Sequence, residues 1–307
     1  MKRGIYLVAN FKSQEICENL VFSIRKSGCS LPVRLIHFGG KKINSAYLLS
    51  QVEFLCYENF PVEAKQLIAD LKEVLTDCPD GFLYRYLAWC SDWDEFIYSD
   101  NDIVALCNWE HLFNYLDGYD LIHADEEYTT NGKFNYNKPG LVQAAFGESA
   151  LESAITAGHI VVKKNIGMIK DIYKAIEWFR QNPHIPMKHD QSLLHIASLI
   201  GQWKILNLCK PPYNWLSSWA GDYENSLQII QNIQTRDTAI SHIHYSGGVP
   251  RGNLAIQDLL FSTNDDKKRL MKLSFIGLRS LSGYDNLRQQ YLRIKRYINR
   301  KLIKNQL

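Results

Sequence analysis

The sequence lacks the patterns of several protein classes. Its seven cysteines are odd in number, form no CxxC pair and lie mostly in apolar runs. This argues against a disulfide framework and predicts buried thiols in a reducing compartment. No apolar run approaches the roughly 20 residues of a membrane-spanning helix, and residues 4–9 are too short for a signal-peptide core. With no repeat and no low-complexity segment either, we expect a globular, cytoplasmic protein.

Length and charge divide the chain unevenly. Its 307 residues, 46% of them hydrophobic, suffice for one large α/β domain or two smaller ones. The net charge of +3 conceals an asymmetry, because residues 284–307 carry seven Lys and Arg against one Asp. The rest of the chain is therefore slightly acidic. We expect a main domain over 1–263 and a basic helical tail over 264–307.

Alternating apolar segments predict an α/β fold. The first half indicates strands at 4–9, 32–38 and 52–57, and helices at 14–26, 62–75 and 82–90. Farther on, we expect strands at 119–124, 159–164, 204–209 and 239–245, and helices at 109–116, 168–181 and 190–200, with a loop over 126–139. Strand–helix–strand alternation predicts a mixed, mostly parallel sheet flanked by helices.

The most informative segment is 95–106, where two carboxylates interrupt an apolar run. Asp100 and Asp102 follow an expected buried strand, and a second apolar run begins at Ile103. Because side chains alternate along a strand, both carboxylates are expected on one face at its carboxyl edge. Buried paired carboxylates need a cation, and a divalent ion with phosphate on its open side supplies one. The segment predicts a metal-dependent enzyme that uses a nucleotide.

Four motifs occur in a fixed order. They are FLYRYLAW at 82–89 with FIYSDND at 96–102, then HDQSLL at 189–194, PYNW at 212–215 and IHYSGG at 243–248. Their order resembles that of the GT-A glycosyltransferases, and is most similar to glycosyltransferase family 8, over about residues 4–261. The resemblance implies a GT-A fold and transfer of a sugar from a nucleotide-diphosphate sugar, expected to be UDP-linked.

The resemblance also implies ligands for the metal and the donor. Asp100, Asp102 and His244 would hold Mn²⁺ or Mg²⁺, which would bridge both phosphates. The other residues expected at the nucleotide sugar are Ala9, Asn10, Arg85, Asn101, Gly247, Gly248 and Arg251. Asp100 is expected at the ribose as well. The need for a metal does not depend on the resemblance, because a cation stabilises the charge that develops on a leaving diphosphate.

Two positions depart from the family pattern. The family usually has a lysine six residues after the late histidine, where this chain has Pro250 followed by Arg251. Arg251 is expected to serve the diphosphate instead. The first strand ends VANF at 8–11, where the family often has a Thr-Ala-Asp type of sequence. Ala9 and Asn10 are expected to line the uridine.

Asp190 and Gln191 are the expected catalytic residues. The family is retaining, so the donor's own phosphate oxygen would deprotonate the acceptor while Gln191 supports the oxocarbenium-like centre. In an inverting reaction Asp190 would be the general base. The sequence leaves both open, and it leaves open that Asp190 only caps or begins a helix.

Other site residues have structural alternatives. The segment with Asp100 and Asp102 could be a turn that contains two acidic residues and binds no metal. Arg85 is either a donor contact or a structural ion-pair partner. His242 shares a strand face with His244, so a zinc site is conceivable, but we expect His244 alone to bind metal. The aromatic residues of 213–219 belong either to the core or to a surface on which an acceptor sugar stacks.

The basic tail has an apolar stripe. Its members are Leu287, Tyr291, Ile294, Ile298 and Leu302. A basic amphipathic helix is typical of binding to an anionic membrane surface, and equally of a helix packed on its own domain. Nucleic acid is not expected as a partner, because the main domain is acidic and lacks a nucleic-acid motif.

These observations predict a hexosyltransferase-type glycosyltransferase that acts on a saccharide or lipid-linked acceptor in surface polysaccharide or glycolipid synthesis, in the cytoplasm and peripheral at the inner membrane face. One alternative is a sugar nucleotidyltransferase, which needs a Gly-rich loop after the first strand, where this chain has NFKS at 10–13. The other is a non-catalytic sugar-binding protein on the same fold, against which the intact Asp100, Asp102 and His244 argue.

Overall fold

The structure is a computed structural model that describes residues 1–124, 133–223 and 239–246. Strands β1 to β9 span Arg3–Ala9, Val33–His37, Glu53–Cys56, Glu95–Ser99, Ile103–Ala105, Leu121–His123, His159–Lys163, Ile205–Asn207 and His242–His244. Helices α1 to α7 span Gln14–Lys26, Ala46–Gln51, Val62–Val74, Asp80–Leu83, Pro139–Phe146, Gly167–Gln181 and Asp190–Gly201.

Seven of the strands form one mixed sheet in the order β3-β2-β1-β4-β7-β6-β8. The pairs among β1 to β4 are parallel, as is the pair β6–β8, while β7 runs antiparallel to both of its neighbours. Strands β5 and β9 form a separate antiparallel pair. The prediction of a mixed, mostly parallel sheet is confirmed.

Strand β1 lies inside the sheet, and both of its faces are buried. Tyr6 and Val8 belong to one hydrophobic core, together with residues of α3, α6 and α7. Ile5, Leu7 and Ala9 alternate with them and belong to a second core, together with residues of α1. A strand covered on both faces carries an unbroken apolar run, which explains why residues 4–9 are so apolar.

Most of the predicted elements form, and the errors are local. Helix α1 has its predicted bounds of 14–26, and the other predicted strands and long helices differ from the structure at their ends. Two short helices are present that the sequence did not suggest, α2 and α5, and α5 begins at Pro139, where a loop was expected to end. Proline at a first helical position has no N–H to lose, so it begins this helix.

Two predicted α-helices are of another type. The segment predicted as one helix over 82–90 is α4 followed by a 3₁₀ helix at Tyr84–Cys90, and Trp109–Leu116 is also a 3₁₀ helix. All six residues from Tyr84 to Trp89 are buried, so this segment has no solvent face to set an α-helical period. Packing of its large side chains on every side decided the geometry, which single-sequence periodicity does not detect.

Several expectations lie outside the described residues. These are the boundary at residues 263 and 264, the basic tail at 284–307, and the expected donor contacts Gly247, Gly248 and Arg251. Among the residues that are described, no helix has the length and apolarity needed to cross a bilayer.

A buried histidine makes stability sensitive to acid. His195 is fully buried, with Nδ1 at 2.6 Å from the hydroxyl of Tyr136 and Nε2 at 3.1 Å from the carbonyl oxygen of Ala150. Burial lowers the pKa of His195 from 6.5 to about 4. Between pH 6.5 and 4 the imidazole is protonated in the unfolded chain but not in the folded protein. The free energy of unfolding therefore falls by about 3 kcal/mol as the pH falls from 6.5 to 4.

We therefore expect His195→Gln to flatten the pH dependence of unfolding in this window by about 1.4 kcal/mol per pH unit, whatever it costs at neutral pH. Urea unfolding at half-unit intervals of pH measures this slope. The exposed His111 provides the control His111→Gln. Equal slopes in the wild type and in His195→Gln would contradict the prediction.

Candidate active site

A tight turn presents the two carboxylates. Strand β4 ends at Ser99, residues 100–102 form the connection, and β5 begins at Ile103. Asp100 and Asp102 lie just beyond the carboxyl end of β4, and their carboxylates are close together, as expected. The turn, and not the alternation of side chains along the strand, gives them this arrangement. Because β1 and β4 are parallel, this turn lies at the carboxyl edge of the sheet, where α/β folds place their ligands.

Strand β9 brings the late histidine to this turn. Ile103 of β5 pairs with His244 of β9, and the backbone N–H of Tyr245 donates to the carbonyl oxygen of Asp102 at 2.9 Å. The backbone N–H of His244 donates to Ser218 at 2.7 Å. Residues more than 140 positions apart in sequence are thus held together by main-chain hydrogen bonds.

Asp100, Asp102 and His244 form one cluster. His244 Nε2 is 3.3 Å from Asp102 Oδ1 and 4.0 Å from Asp100 Oδ2. One ligand atom from each residue lies within 4.8 Å of the others. Two carboxylate oxygens and one imidazole nitrogen suit Mn²⁺ or Mg²⁺ and leave positions for phosphate and water. These residues fit a divalent ion.

The histidine ring fits because a glycine lies beneath it. A Cβ atom on Gly158 would lie 2.2 Å from Cε1 of His244, far inside contact distance. The carbonyl oxygen of Gly158 also accepts the N–H of Asp100 at 2.7 Å. Gly158 precedes β7, so this strand supplies the floor of the metal cluster.

Arg85 joins the cluster to the expected catalytic segment. Its Nη2 donates to both oxygens of Asp100, at 3.0 and 3.3 Å, and its Nη1 lies 2.9 Å from Oδ2 of Asp190. The guanidinium also donates to the carbonyl oxygens of Phe82 and Ala157. The side chain of Arg85 is only 2% exposed. Of the two alternatives for Arg85, the structure therefore has the structural ion-pair partner.

Burial and charge oppose each other at Asp100. Burial raises the pKa of Asp100, and the neighbouring Arg85 guanidinium counteracts that rise. Asp102 raises the pKa further and His244 lowers it. Tyr98 donates its hydroxyl to Asp100 at 2.7 Å, and burial raises the pKa of that phenol well above 10. Arg85 pairs with Asp100 and not with Asp102, so a divalent ion would supply the positive charge that the two neighbouring carboxylates lack.

A cleft of about 370 Å³ opens beside the carboxylates. Its lining residues are Val8, Asn10, Ser13, Ile16, Phe38, Pro79, Asp80, Gly81, Phe82, Tyr98, Asp100, Asn101 and Asp102. The volume is in the range of pockets for small ligands and cofactors. The cleft thus combines a charged end at Asp100 and Asp102 with aromatic walls from Phe38 and Phe82.

The expected donor contacts near β1 separate into two groups. Asn10 lines the cleft, and its Oδ1 accepts the backbone N–H groups of Lys12 and Ser13, which caps the short helix that follows. Asn101 lines the cleft and donates to the carbonyl oxygen of Val8 at 2.6 Å. Ala9 is fully buried in the core and is not part of the cleft lining.

Asp190 and Gln191 begin α7, next to Arg85. Asp190 is the first residue of the helix, and His189 is its cap position. Gln191 accepts the backbone N–H of Ala157 at 3.2 Å and donates to Oδ1 of the buried Asn135 at 3.0 Å. Gln191 therefore adjoins the backbone segment that leads to Gly158, and Asp190 is linked to that segment through Arg85.

His242 lies apart from the metal cluster. Its ring packs against that of His159, with centroids 4.1 Å apart, and burial lowers the pKa of both imidazoles. Among the described residues, the cluster with metal-binding spacing contains His244 and not His242. The zinc alternative through His242 finds no matching set of ligands in that part of the chain.

The aromatic residues of 213–219 divide between core and surface. Trp215 packs against the second core, with Tyr115 in an edge-on contact at 5.4 Å. Tyr213 and Trp219 are 39% and 38% exposed. The backbone of Trp219 forms an isolated β-bridge with His244, so this exposed aromatic residue is a neighbour of the metal cluster.

Sequence reasoning missed three residues that shape the site: Tyr98, Gly158 and Asn135. Tyr98 precedes Asp100 by two positions, and this spacing could have suggested a shared face. Gly158 belongs to the small-residue pair before β7, which is a signal of close approach between backbone and side chain. Asn135 accepts a hydrogen bond from Gln191, which lies 56 positions later in the chain. No short-range sequence pattern predicts this contact.

Known structures share this arrangement of strands and helices. No protein-family model matches the chain, and no curated protein sequence does. The galactosyltransferase LgtC, in complex with donor and acceptor sugar analogs, aligns with a TM-score of 0.52 and 12% identity over 84% of this chain and 95% of that one. Mouse xyloside xylosyltransferase 1 aligns with a TM-score of 0.50 and 11% identity, over 81% and 99%.

The bifunctional glycosyltransferase WbbM aligns with a TM-score of 0.51 and 12% identity over 88% of this chain. Only 51% of WbbM is covered, so this chain spans about half of its length. At these identities the likeness concerns the fold and not the substrates. The chain has the fold of the GT-A glycosyltransferases.

Proposed function

We propose that this protein is a metal-dependent glycosyltransferase that transfers a sugar from a nucleotide-diphosphate donor, UDP-linked, to a saccharide or lipid-linked acceptor. The observation that carries the proposal is the Asp100–Asp102–His244 cluster, at the charged end of a cleft on a GT-A fold. Because one fold hosts many activities, the residues of the site and not the fold support this function.

The cluster and the cleft suit the two ends of a nucleotide. Asp100, Asp102 and His244 would hold Mn²⁺ or Mg²⁺. The bound metal would neutralise charge on the departing diphosphate. Asn10 and Asn101 would lie toward the nucleoside, where Phe38 and Phe82 offer apolar surface to a base. Gly247, Gly248 and Arg251 are proposed at the diphosphate from the motif alone.

Asp190 and Gln191 would face the transferred sugar. Arg85 holds Asp190 in place, while Gln191 is anchored on both of its polar atoms. Fixed polar groups stabilise developing charge without reorganising, which is what an oxocarbenium-like centre requires. We therefore favour retention of configuration, with a donor phosphate oxygen as the base and these two residues orienting the sugar.

The rival nucleotidyltransferase activity is disfavoured at the end of β1. That chemistry needs a flexible Gly-rich loop to surround a triphosphate. In this protein the chain turns directly into a 3₁₀ helix at Phe11–Ser13, closed by reciprocal hydrogen bonds between Asn10 and Ser13. A capped helical turn offers no such loop.

Exposed aromatic side chains and the basic tail bear on the acceptor and the cellular site. The exposed Trp219, which is bridged to His244 of β9, and the exposed Tyr213 would suit stacking against a sugar face. The basic tail at 284–307 would bind the anionic surface of a membrane. Such binding would fit a lipid-linked acceptor and a peripheral, cytoplasmic enzyme.

Thermal unfolding tests the proposal, with UDP, Mn²⁺, both together, and GDP with Mn²⁺. We expect the midpoint to rise chiefly with UDP and Mn²⁺ together, because a ligand bound by the native state stabilises it by about 2.7 kcal/mol at a hundredfold excess over its Kd. Donor sugars are then screened for UDP release.

The outcomes separate the rival activities. No rise with any nucleotide–metal pair would overturn the proposal, since the cluster would then have no nucleotide to serve. A rise without turnover of any donor and acceptor would favour the sugar-binding alternative. A larger response to UTP with a sugar phosphate, yielding pyrophosphate, would favour the nucleotidyltransferase.

A further inference from the structure

Arg85 is engaged entirely by the protein itself. Its guanidinium donates hydrogen bonds to the carbonyl oxygens of Phe82 and Ala157 and to both oxygens of Asp100. Its Nη1 also forms an ion pair with Oδ2 of Asp190 at 2.9 Å, without hydrogen-bond geometry. All three nitrogens of the group are therefore engaged by protein oxygens.

Arg85 is also out of reach of the cleft. Its side chain is 2% exposed, whereas three of the residues in contact with it, Phe82, Tyr98 and Asp100, belong to the cleft lining. The face of the guanidinium is covered by the Tyr98 ring, whose centroid is 4.6 Å away. Contact between Arg85 and a donor sugar would require one of these groups to move.

We propose that Arg85 is a positioning residue that locks Asp100 and Asp190 to each other, so that the metal cluster and the sugar-facing end of α7 keep one fixed geometry. This rests on the proposed function, and it replaces a direct donor contact by Arg85 with an indirect role. Through the carbonyl oxygen of Ala157, the same guanidinium also fixes the residue before Gly158, on which His244 packs.

The planar shape of arginine is essential to this role. A guanidinium directs N–H bonds along several fixed directions, so it can hold two carboxylates and two carbonyl oxygens at once. A lysine has the same charge but one nitrogen with three donors. Arg85→Lys therefore keeps the positive charge beside Asp100 but removes the N–H donors that reach several oxygens at once.

Binding of Mn²⁺ without any nucleotide tests the proposal, measured by the electron paramagnetic resonance of free Mn²⁺. We expect Arg85→Lys to weaken Mn²⁺ binding about tenfold or more, as is usual when a group that orients a metal ligand is changed. An arginine that only touched the donor would leave this Kd unchanged, and that result would overturn the proposal.

Arg34→Lys is the matched control. Arg34 also bridges two carboxylates, Glu53 at 2.8 Å and Asp92, but at the amino end of β2, at the opposite edge of the sheet. Arg34→Lys should keep the wild-type Mn²⁺ affinity, because neither carboxylate belongs to the metal cluster. If Arg34→Lys weakens Mn²⁺ binding as much as Arg85→Lys, general destabilisation explains both, and the positioning role is refuted.

A second variant covers the case in which Arg85→Lys does not fold. Asp190→Asn leaves Arg85 in place and cuts one of its anchors, so it should weaken Mn²⁺ binding more than Asp80→Asn does. Asp80 is a cleft carboxylate paired with Lys72 instead. An equal or smaller effect of Asp190→Asn would refute the coupling.

The double variant gives the sharpest reading. In a double-mutant cycle, Asp190→Asn should have no further effect once Arg85 is lysine, because the link is already cut. Equal effects in both backgrounds would mean that Arg85 transmits nothing. Wild-type protein that binds neither Mn²⁺ nor Mn²⁺ with UDP would instead remove the proposed function itself, and this inference with it.

Discussion

Replacing Asp102 by asparagine is expected to reduce kcat/KM for sugar transfer about a thousandfold. The change removes an anionic ligand from the cluster with His244, whose Nε2 lies 3.3 Å away, while side-chain volume is preserved. A metal that stabilises a departing diphosphate contributes several kcal/mol to the transition state, and each 1.36 kcal/mol is a factor of ten. Steady-state kinetics with varied Mn²⁺ measures the loss.

The structure allows a clear control for this variant. Asp80 also lines the cleft, but it is paired with Lys72 and lies outside the metal cluster, so Asp80→Asn should reduce the rate far less. The free energy of unfolding of Asp102→Asn should stay near that of the wild type, because its side chain is partly exposed. Full activity of Asp102→Asn at any Mn²⁺ concentration would exclude this metal site.

Gly158→Ala is expected to disable the same site without touching a charged residue. The new methyl group would be placed 2.2 Å from Cε1 of His244, so the imidazole must leave its position. Mn²⁺ binding should fall at least tenfold, and overpacking should cost about 1–3 kcal/mol of stability. Isothermal titration and urea unfolding measure the two effects separately.

Gly40→Ala provides the comparison, because a Cβ atom at Gly40 meets no atom within 4 Å. This variant should bind Mn²⁺ as the wild type does. Gly158→Ala with unchanged Mn²⁺ affinity would show that His244 is not a ligand, whereas a lower stability alone would show only that the pocket is tight. The pair of variants thus tests the histidine through its surroundings.

The general fold followed from patterns that short segments carry. Continuous apolar strands such as β1 indicated burial on both faces, and α1 formed at its predicted bounds because its apolar residues recur at helical spacing. The antiparallel direction of β7 within the sheet was not foreseeable, since strand direction depends on how the chain crosses over.

Local periodicity failed where burial is complete. The segment Tyr84–Cys90 is surrounded by protein, so its sequence contains no polar stripe from which to infer a helix type. The same burial hid the role of Arg85. A sequence shows a charged residue in an aromatic segment, but only the packed structure shows which oxygens surround its guanidinium.

By itself, the sequence determined that this is an α/β protein with an acidic pair after a buried strand and a histidine far along the chain. Such features depend on residue type and short spacing. The motif order implied that Asp100, Asp102 and His244 share one site. The tertiary structure alone decided how strand pairing brings them together, that Gly158 makes room for the imidazole, and that Arg85 ties the cluster to Asp190. Contacts between residues distant in sequence arise from strand pairing and packing, and short-range patterns do not encode them.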